Sequence, residues 1–125
     1  AIIAGMGGEL ITDILLRDTE KLPQVVVLQP MSKIERLRSK LTEYYEIVED
    51  EVLCDCGKYY NIIKAKRGKD NLTELETKFG KTNLQNLSTE FKEYLSKIKR
   101  VAKEIKTKQY EDLLLQIEKV EEMYE

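Results

Sequence analysis

The sequence predicts an α/β fold extended by a pair of packed helices, and three observations carry that prediction. The chain opens on Ala1-Ile2-Ile3-Ala4, turns through Gly5-Met6-Gly7-Gly8 and enters a helical pattern over Glu9–Leu16. That is a strand, a tight glycine turn and a helix, half of a nucleotide-binding crossover. A second strand, Gln24-Val25-Val26-Val27-Leu28, follows the helix, and two parallel strands so separated need a helical crossover. From residue 70 onward the strand pattern vanishes, and apolar residues step by three and four.

Composition bounds the class without naming the work. One hundred and twenty-five residues suit one domain, or a small domain with an appendage. An apolar share of 42% allows a modest core, while 35% charged residues point to long exposed helical faces. A net charge of −2 gives no bulk footprint for nucleic acid, so any such binding must use local patches. No apolar run approaches the roughly 20 residues of a membrane span, and no membrane partner is expected. The opening also lacks the basic n-region of a signal peptide. Cys54 and Cys56 are too close in an extended segment to bridge easily, so they are read as reduced and the chain as cytoplasmic. With no histidine in the chain, two thiols do not complete a tetrahedral metal site, and no metal is expected.

Taken in order, Leu10, Ile11, Ile14 and Leu15 share one face of the first helix, and Leu22-Pro23 ends it. The Val25–Leu28 run does not alternate, as expected for a strand covered on both faces. Gln29-Pro30-Met31-Ser32 closes that strand. Ser32 is placed to cap the next helix, with Glu35 as its capping-box partner. Ile34, Leu37 and Leu41 form the stripe of this helix. Arg36, Arg38 and Lys40 fall off the stripe and are expected in solvent.

A hairpin follows. Tyr45–Leu53 is one arm, Lys58–Ala65 the other, and Cys54-Asp55-Cys56-Gly57 the turn, with Gly57 free to take positive φ. Tyr59 and Tyr60 are expected to fill one core position and one surface position. A short helix around Leu72–Phe79 ends at Gly80. Leu84, Leu87, Phe91, Tyr94, Ile98, Val101 and Ile105 then form an unbroken a/d series. Tyr110, Leu113, Ile117, Val120 and Tyr124 form a second series out of phase with the first, and Thr107 stands between them as a candidate N-cap. Two helices folded into an antiparallel hairpin fit better than one long helix with a stutter, because each stripe needs a partner.

Several segments together carry a family resemblance: Ile3-Ala4-Gly5-Met6-Gly7-Gly8 with Leu10-Ile11 and Ile14-Leu15, Leu28-Gln29-Pro30, and Leu37-Arg38 with Leu41. The arm Lys58-Tyr59-Tyr60-Asn61-Ile62-Ile63 and the triplet Lys78-Phe79-Gly80 continue it. In this order they resemble the bacterial tRNA (adenine-22-N1)-methyltransferases, class I S-adenosylmethionine enzymes with a C-terminal coiled-coil domain. The resemblance runs in order to about residue 80 and in architecture beyond. It departs at Met31, where the family commonly has Asn after Gln-Pro, so a polar role at that position does not carry over.

The resemblance implies that the four strands are strands 4, 5, 6 and 7 of a class I sheet ordered 3-2-1-4-5-7-6. They would form its contiguous half 4-5-7-6, with an α-helical coiled-coil hairpin following. Residues 1–69 would then be the C-terminal half of a Rossmann-like methyltransferase domain and residues 70–125 the helical domain. The other half, with the main S-adenosylmethionine determinants, lies outside this sequence on that reading. The 125 residues alone are therefore expected to be inactive and to bind the cofactor weakly or not at all. Strand Ala1–Ala4 becomes an exposed apolar edge that invites dimerisation or domain exchange.

The resemblance also implies site residues. Gly5, Met6, Gly7 and Gly8 would form the substrate- and methyl-side loop, with Ala4, Gly5 and Met6 as partial cofactor contacts and Gln29 and Pro30 as substrate contacts. From spacing alone the glycine turn is a tight βα connection, and Gln29-Pro30 is equally a strand stop. Lys97, Lys99, Arg100 and Lys103, with Lys106 and Lys108 beyond them, read by themselves as a solvated face. The family function would make them the tRNA-backbone contact. The alternative is a non-catalytic coiled-coil interaction module on a small α/β support.

Overall fold

The structure is a computed structural model that describes residues 1–105 and 107–124. Its elements are β1 (Ile2–Met6), α1 (Gly8–Leu15), β2 (Val25–Pro30), α2 (Ile34–Leu41), β3 (Tyr45–Asp55), β4 (Lys58–Arg67), α3 (Glu74–Phe79), α4 (Lys81–Asn86), α5 (Thr89–Glu104) and α6 (Lys108–Glu121). The strands form one mixed sheet in the order β1-β2-β4-β3. β1 and β2 are parallel, joined over α1, and the β3–β4 hairpin adds antiparallel strands beside β2.

Alternation and register together assign the faces. Ile3 pairs with Leu28, Leu28 with Ile63, and Val52 with Asn61, so these residues share a face with Val26, Ile47, Tyr59 and Ala65. The helices pack on that face in two apolar clusters. One joins Ile11 and Leu15 of α1 and Leu37 and Leu41 of α2 to Val26, Leu28, Ile47 and Ile63. The other joins Val52 to Phe79, to Phe91 and Leu95 of α5, and to Ile117 and Val120 of α6. On the opposite face Ile2 is 79% exposed and Val25 45%. The expectation that β2 is covered on both faces is corrected: among the described residues one face is buried and the other open.

Local chemistry explains the boundaries. The hairpin turns through Cys56 (φ 51°) and Gly57 (φ 79°), a two-residue turn with both φ positive that matches the strand twist. α3 begins in a capping box: the Thr73 hydroxyl accepts from Glu76 N at 3.2 Å and the Glu76 carboxylate accepts from Thr73 N at 2.8 Å. Gly80, at φ 99°, ends it. The capping box expected at α2 does not form. Lys33, not Ser32, is the N-cap residue, in the left-handed region with no side-chain bond.

The a/d series from Leu84 to Ile105 is not one helix either. Leu87, at φ 47°, ends α4 in the left-handed region, and the Ser88 hydroxyl accepts from Phe91 N to start α5. Leu84 and Leu87 still pack into the second cluster, so their spacing reports burial rather than a continuous helix. α5 and α6 are separate helices packed on each other. Lys92 of α5 lies 4.8 Å from the Tyr124 ring centroid, beyond the end of α6, and Lys99 pairs with Glu121 at 2.7 Å. Thr107 occupies the N-cap position of α6 without a side-chain bond.

Candidate functional site

Because β1 and β2 are parallel, their carboxyl ends, Met6 and Pro30, meet at one edge of the sheet. Gly5 (φ 72°) sits where the register shifts between Ala4 and Met6, a bulge that turns the chain outward. Two backbone bonds then fasten the loops together: Met31 N donates to Met6 O at 2.8 Å, and Gly8 N to Ser32 O at 2.7 Å. This approach requires glycine at position 8, where the close neighbours are backbone atoms. A Cβ on Gly8 would lie 2.5 Å from Lys33 O and 2.6 Å from Ser32 O, and one on Gly7 would lie 2.8 Å from the Ser32 hydroxyl. The structure thus brings Ala4, Gly5, Met6, Gly7, Gly8, Gln29 and Pro30 to one edge. The first amide of α1 is committed to Ser32, leaving Glu9 and Leu10 as the orphan first-turn amides.

Beside this edge lies a groove of about 450 Å³. The hairpin outreaches β2: Ile63–Lys66 pair with it, while residues 58–62 pair with β3 alone. Lys58, Tyr59 and Tyr60 therefore extend past Pro30, next to Met31, and line the groove; Tyr59 faces α5 across it, while Lys58 and Tyr60 alternate to the other side of β4. The Tyr59 and Tyr94 rings are 5.6 Å apart at 58°, and Lys97 Nζ lies 5.5 Å from the Tyr59 centroid. Tyr59 packs against the second cluster and Tyr60 lies on the opposite face, as the expected split between core and surface has it, though both are half-buried. Burial raises the Tyr94 hydroxyl against the opposing charge of Arg38. Desolvation, then Cys54 and Glu93, raise Tyr59 against Arg100. Both tyrosines therefore remain neutral phenols at physiological pH.

The basic residues of α5 divide between two sides, since positions 97 and 99 stand roughly 200° apart on a helix. Lys97 faces Tyr59, and Arg100 follows on that side, exposed. Lys99 faces α6 and Glu121, with Lys103 exposed one turn further on. Lys108 is exposed at the start of α6, and Lys106 lies outside the described residues.

Arg38 is the largest departure from the sequence reading. It is 2% exposed, not solvated. Its Nε and Nη2 donate to the two oxygens of Asp50 at 2.6 and 2.9 Å, and Nη1 donates to the carbonyls of Thr77 and Lys78. Asn61 donates to the same carboxylate at 3.0 Å. Gly80 lies against this network, where a Cβ would meet Asn83 Nδ2 at 2.7 Å and Asp50 Oδ1 at 2.9 Å. The ion pair thus ties α2, the hairpin and α3 together behind the groove. Among the described residues no group of His, Cys, Asp and Glu could hold a metal ion, and no helix is long and apolar enough to cross a membrane. Cys54 and Cys56 are free and exposed.

Comparison with known proteins now adds to this geometry. The family model described as tRNA (adenine(22)-N(1))-methyltransferase, TrmK, matches residues 1–123. The chain belongs to this family. No curated protein matches the chain. Among solved structures, a Streptococcus agalactiae protein of the NADB-Rossmann superfamily is 35% identical, with a TM-score of 0.80 over 95% of this chain and 58% of that one. A candidate tRNA (m1A22) methyltransferase of Streptococcus pneumoniae, solved with S-adenosyl-L-methionine, is 27% identical, with a TM-score of 0.84 over 95% of this chain and 58% of that one. TrmK of M. capricolum, solved with S-adenosyl-homocysteine, has the same fold at 22% identity, with a TM-score of 0.79 over 99% of this chain and 60% of that one. The chain thus spans about 60% of the length of the TrmK-family structures that it matches.

Proposed function

We propose that the full-length protein transfers a methyl group from S-adenosylmethionine to N1 of an adenine in tRNA. In this reading the chain forms the substrate-side half of the catalytic sheet and the helical domain beside it. The observation that carries the reading is the pair of loops after β1 and β2, fastened side by side at the carboxyl edge, where ligands of open α/β sheets bind. The observed order β1-β2-β4-β3 supports assigning these strands as 4-5-7-6 of a class I sheet. Residues 1–69 then belong to the Rossmann-like domain and residues 70–125 to a helical coiled-coil hairpin. A tRNA substrate places the protein in the cytoplasm.

The residues fit a flat base and the donor end of the cofactor. Ala4, Gly5 and Met6 are exposed at the carboxyl end of β1, and a Cβ on Gly5 would meet nothing within 4 Å. When bound, S-adenosylmethionine supplies the methyl group from its sulfonium. Ala4, Gly5 and Met6 would hold one side of it, and the Met6-Gly7-Gly8 turn with Gln29 and Pro30 would position the adenine. No general base is required, because neutral N1 carries a lone pair and the rate depends on aligning nucleophile, methyl and leaving sulfur. Lys97, Lys99, Arg100 and Lys103 are the basic residues offered to the tRNA backbone.

The test is Gly8→Ala in the full-length protein, with tRNA methylation and S-adenosylmethionine affinity measured separately. The added Cβ separates the two loops, so kcat/KM is expected to fall by about 100-fold, as for an ångström-scale misplacement of reacting groups. Cofactor affinity is expected to change far less. Wild-type protein that binds cofactor but leaves tRNA unmethylated would refute the reading.

A further inference from the structure

The groove beside the catalytic edge gathers four of the chain's seven tyrosines, Tyr59, Tyr60, Tyr94 and Tyr110, with Lys58 and Lys97 at its sides. Resting on the tRNA reading, we propose that it binds unpaired nucleotides of the RNA next to the target base, stacking them on the tyrosines.

Three observations favour this occupant. The lining is aromatic and cationic together: Lys97 lies 5.5 Å from the Tyr59 ring centroid, Lys58 lines the groove beside it, and Arg100 is exposed on the same side of α5. Aromatic faces with lysines suit bases strung on a phosphate chain, since any base offers a π-face and each phosphate a negative charge. The groove is also continuous with the catalytic edge, because Met31 both lines it and follows Gln29-Pro30 directly. A strand of RNA leaving the Met6–Gly8 turn would enter the groove without crossing open surface. Finally, the half-buried tyrosine faces serve bases that are already unstacked, whereas an A-form duplex keeps its base faces covered. The groove therefore selects a loop or a splayed junction rather than a helix.

The experiment uses the full-length protein and measures tRNA affinity with its salt dependence, KM against kcat, S-adenosylmethionine affinity and thermal stability. Tyr59→Leu with Tyr60→Leu is expected to weaken tRNA binding and raise KM roughly tenfold or more, with cofactor affinity unchanged. Tyr59→Phe keeps the stacking face and should restore binding. Lys58→Glu, at the exposed start of β4, does not touch the core and is expected to lower affinity and the salt slope even if the leucine variant folds poorly. A single-stranded oligonucleotide should compete with tRNA better than a fully paired RNA of equal length. The proposal is overturned if the Tyr59/Tyr60 and Lys58 variants bind and methylate tRNA as the wild type does. It is also overturned if duplex RNA competes as well as single strands. In both cases the methyltransferase reading stands, whereas wild-type protein that does not bind tRNA overturns both.

Discussion

Arg38 carries more of the fold than its sequence context suggests. Counting apolar residues alone passes over it, although it stands four residues after Ile34 and three before Leu41, on the buried side of α2. The side chain instead reaches Asp50 across the gap between the two hydrophobic clusters. Asp50 reaches the core-facing side of β3 because the register shifts between Ile47 and Glu49, which puts it opposite buried Ile63. A buried carboxylate needs a cation, and only the fold says which one. Because both side chains are almost fully buried, truncating one partner leaves the other charge stranded. Arg38→Ala is expected to cost roughly 3–5 kcal/mol of folding stability, read by urea denaturation. The double variant Arg38→Leu, Asp50→Leu should be less damaging than Arg38→Leu or Asp50→Leu alone, despite the loss of the Asn61 bond. Simple addition of the two single effects in that cycle would mean the pair is not coupled.

At the scale of elements, β3 is the outer strand of the sheet opposite β1, and side chains from residues 70–83 satisfy its outward amides. Ile47 N donates to Asp70, Asp50 N to the Thr82 hydroxyl, and Val52 N to the Asn83 side-chain oxygen. This is how α4 covers an edge that would otherwise recruit another strand. The strands, the hairpin turn and α3 were legible in the sequence, because β-branched runs, Gly57 and the stop at Gly80 are local signals. α4 was not, since its break at Leu87 uses neither Gly nor Pro, and the left-handed leucine is held by the packing around it. Asp70 joins this edge to Lys81, 2.8 Å away. Partial burial alone would raise its pKa, but the Lys81 bond, the amides of Ile47 and Asn71, and the Lys81 charge outweigh it and hold Asp70 below its ordinary 3.8. A lowered folded value makes the contribution fully present above the unfolded carboxyl's range and lost as pH falls through the folded value. The wild type should therefore lose stability on acidification more steeply than Asp70→Asn, in a pH series of denaturation midpoints. Parallel curves below pH 4 would remove Asp70 from the account.

For the whole molecule, the consequential fact is that the sheet has one covered face and one free parallel edge. Ile2 is 79% exposed on β1, and Leu10 and Ile14 of α1 are 50% and 40% exposed nearby. At the other end of the sheet α4 closes the edge, so among the described residues β1 is the outer strand left with unpaired backbone along its length beside apolar side chains. This edge was legible through the family resemblance, whose implied order 4-5-7-6 leaves Ala1–Ala4 with one neighbour within these residues. The sequence did not show that the far face of β2 is open, since a valine run reads alike whether one face is covered or two. An apolar edge of this kind associates with whatever strand is available. The 125-residue chain on its own should therefore self-associate, with a sedimentation coefficient that rises with concentration. Ile2→Lys puts a charge on that edge and should return the chain to a monomer, leaving its helical circular dichroism unchanged because Ile2 packs in neither cluster. A well-folded monomer at the highest concentrations reached would show that β1 is protected by its own twist and bulge, and that the edge needs no second strand.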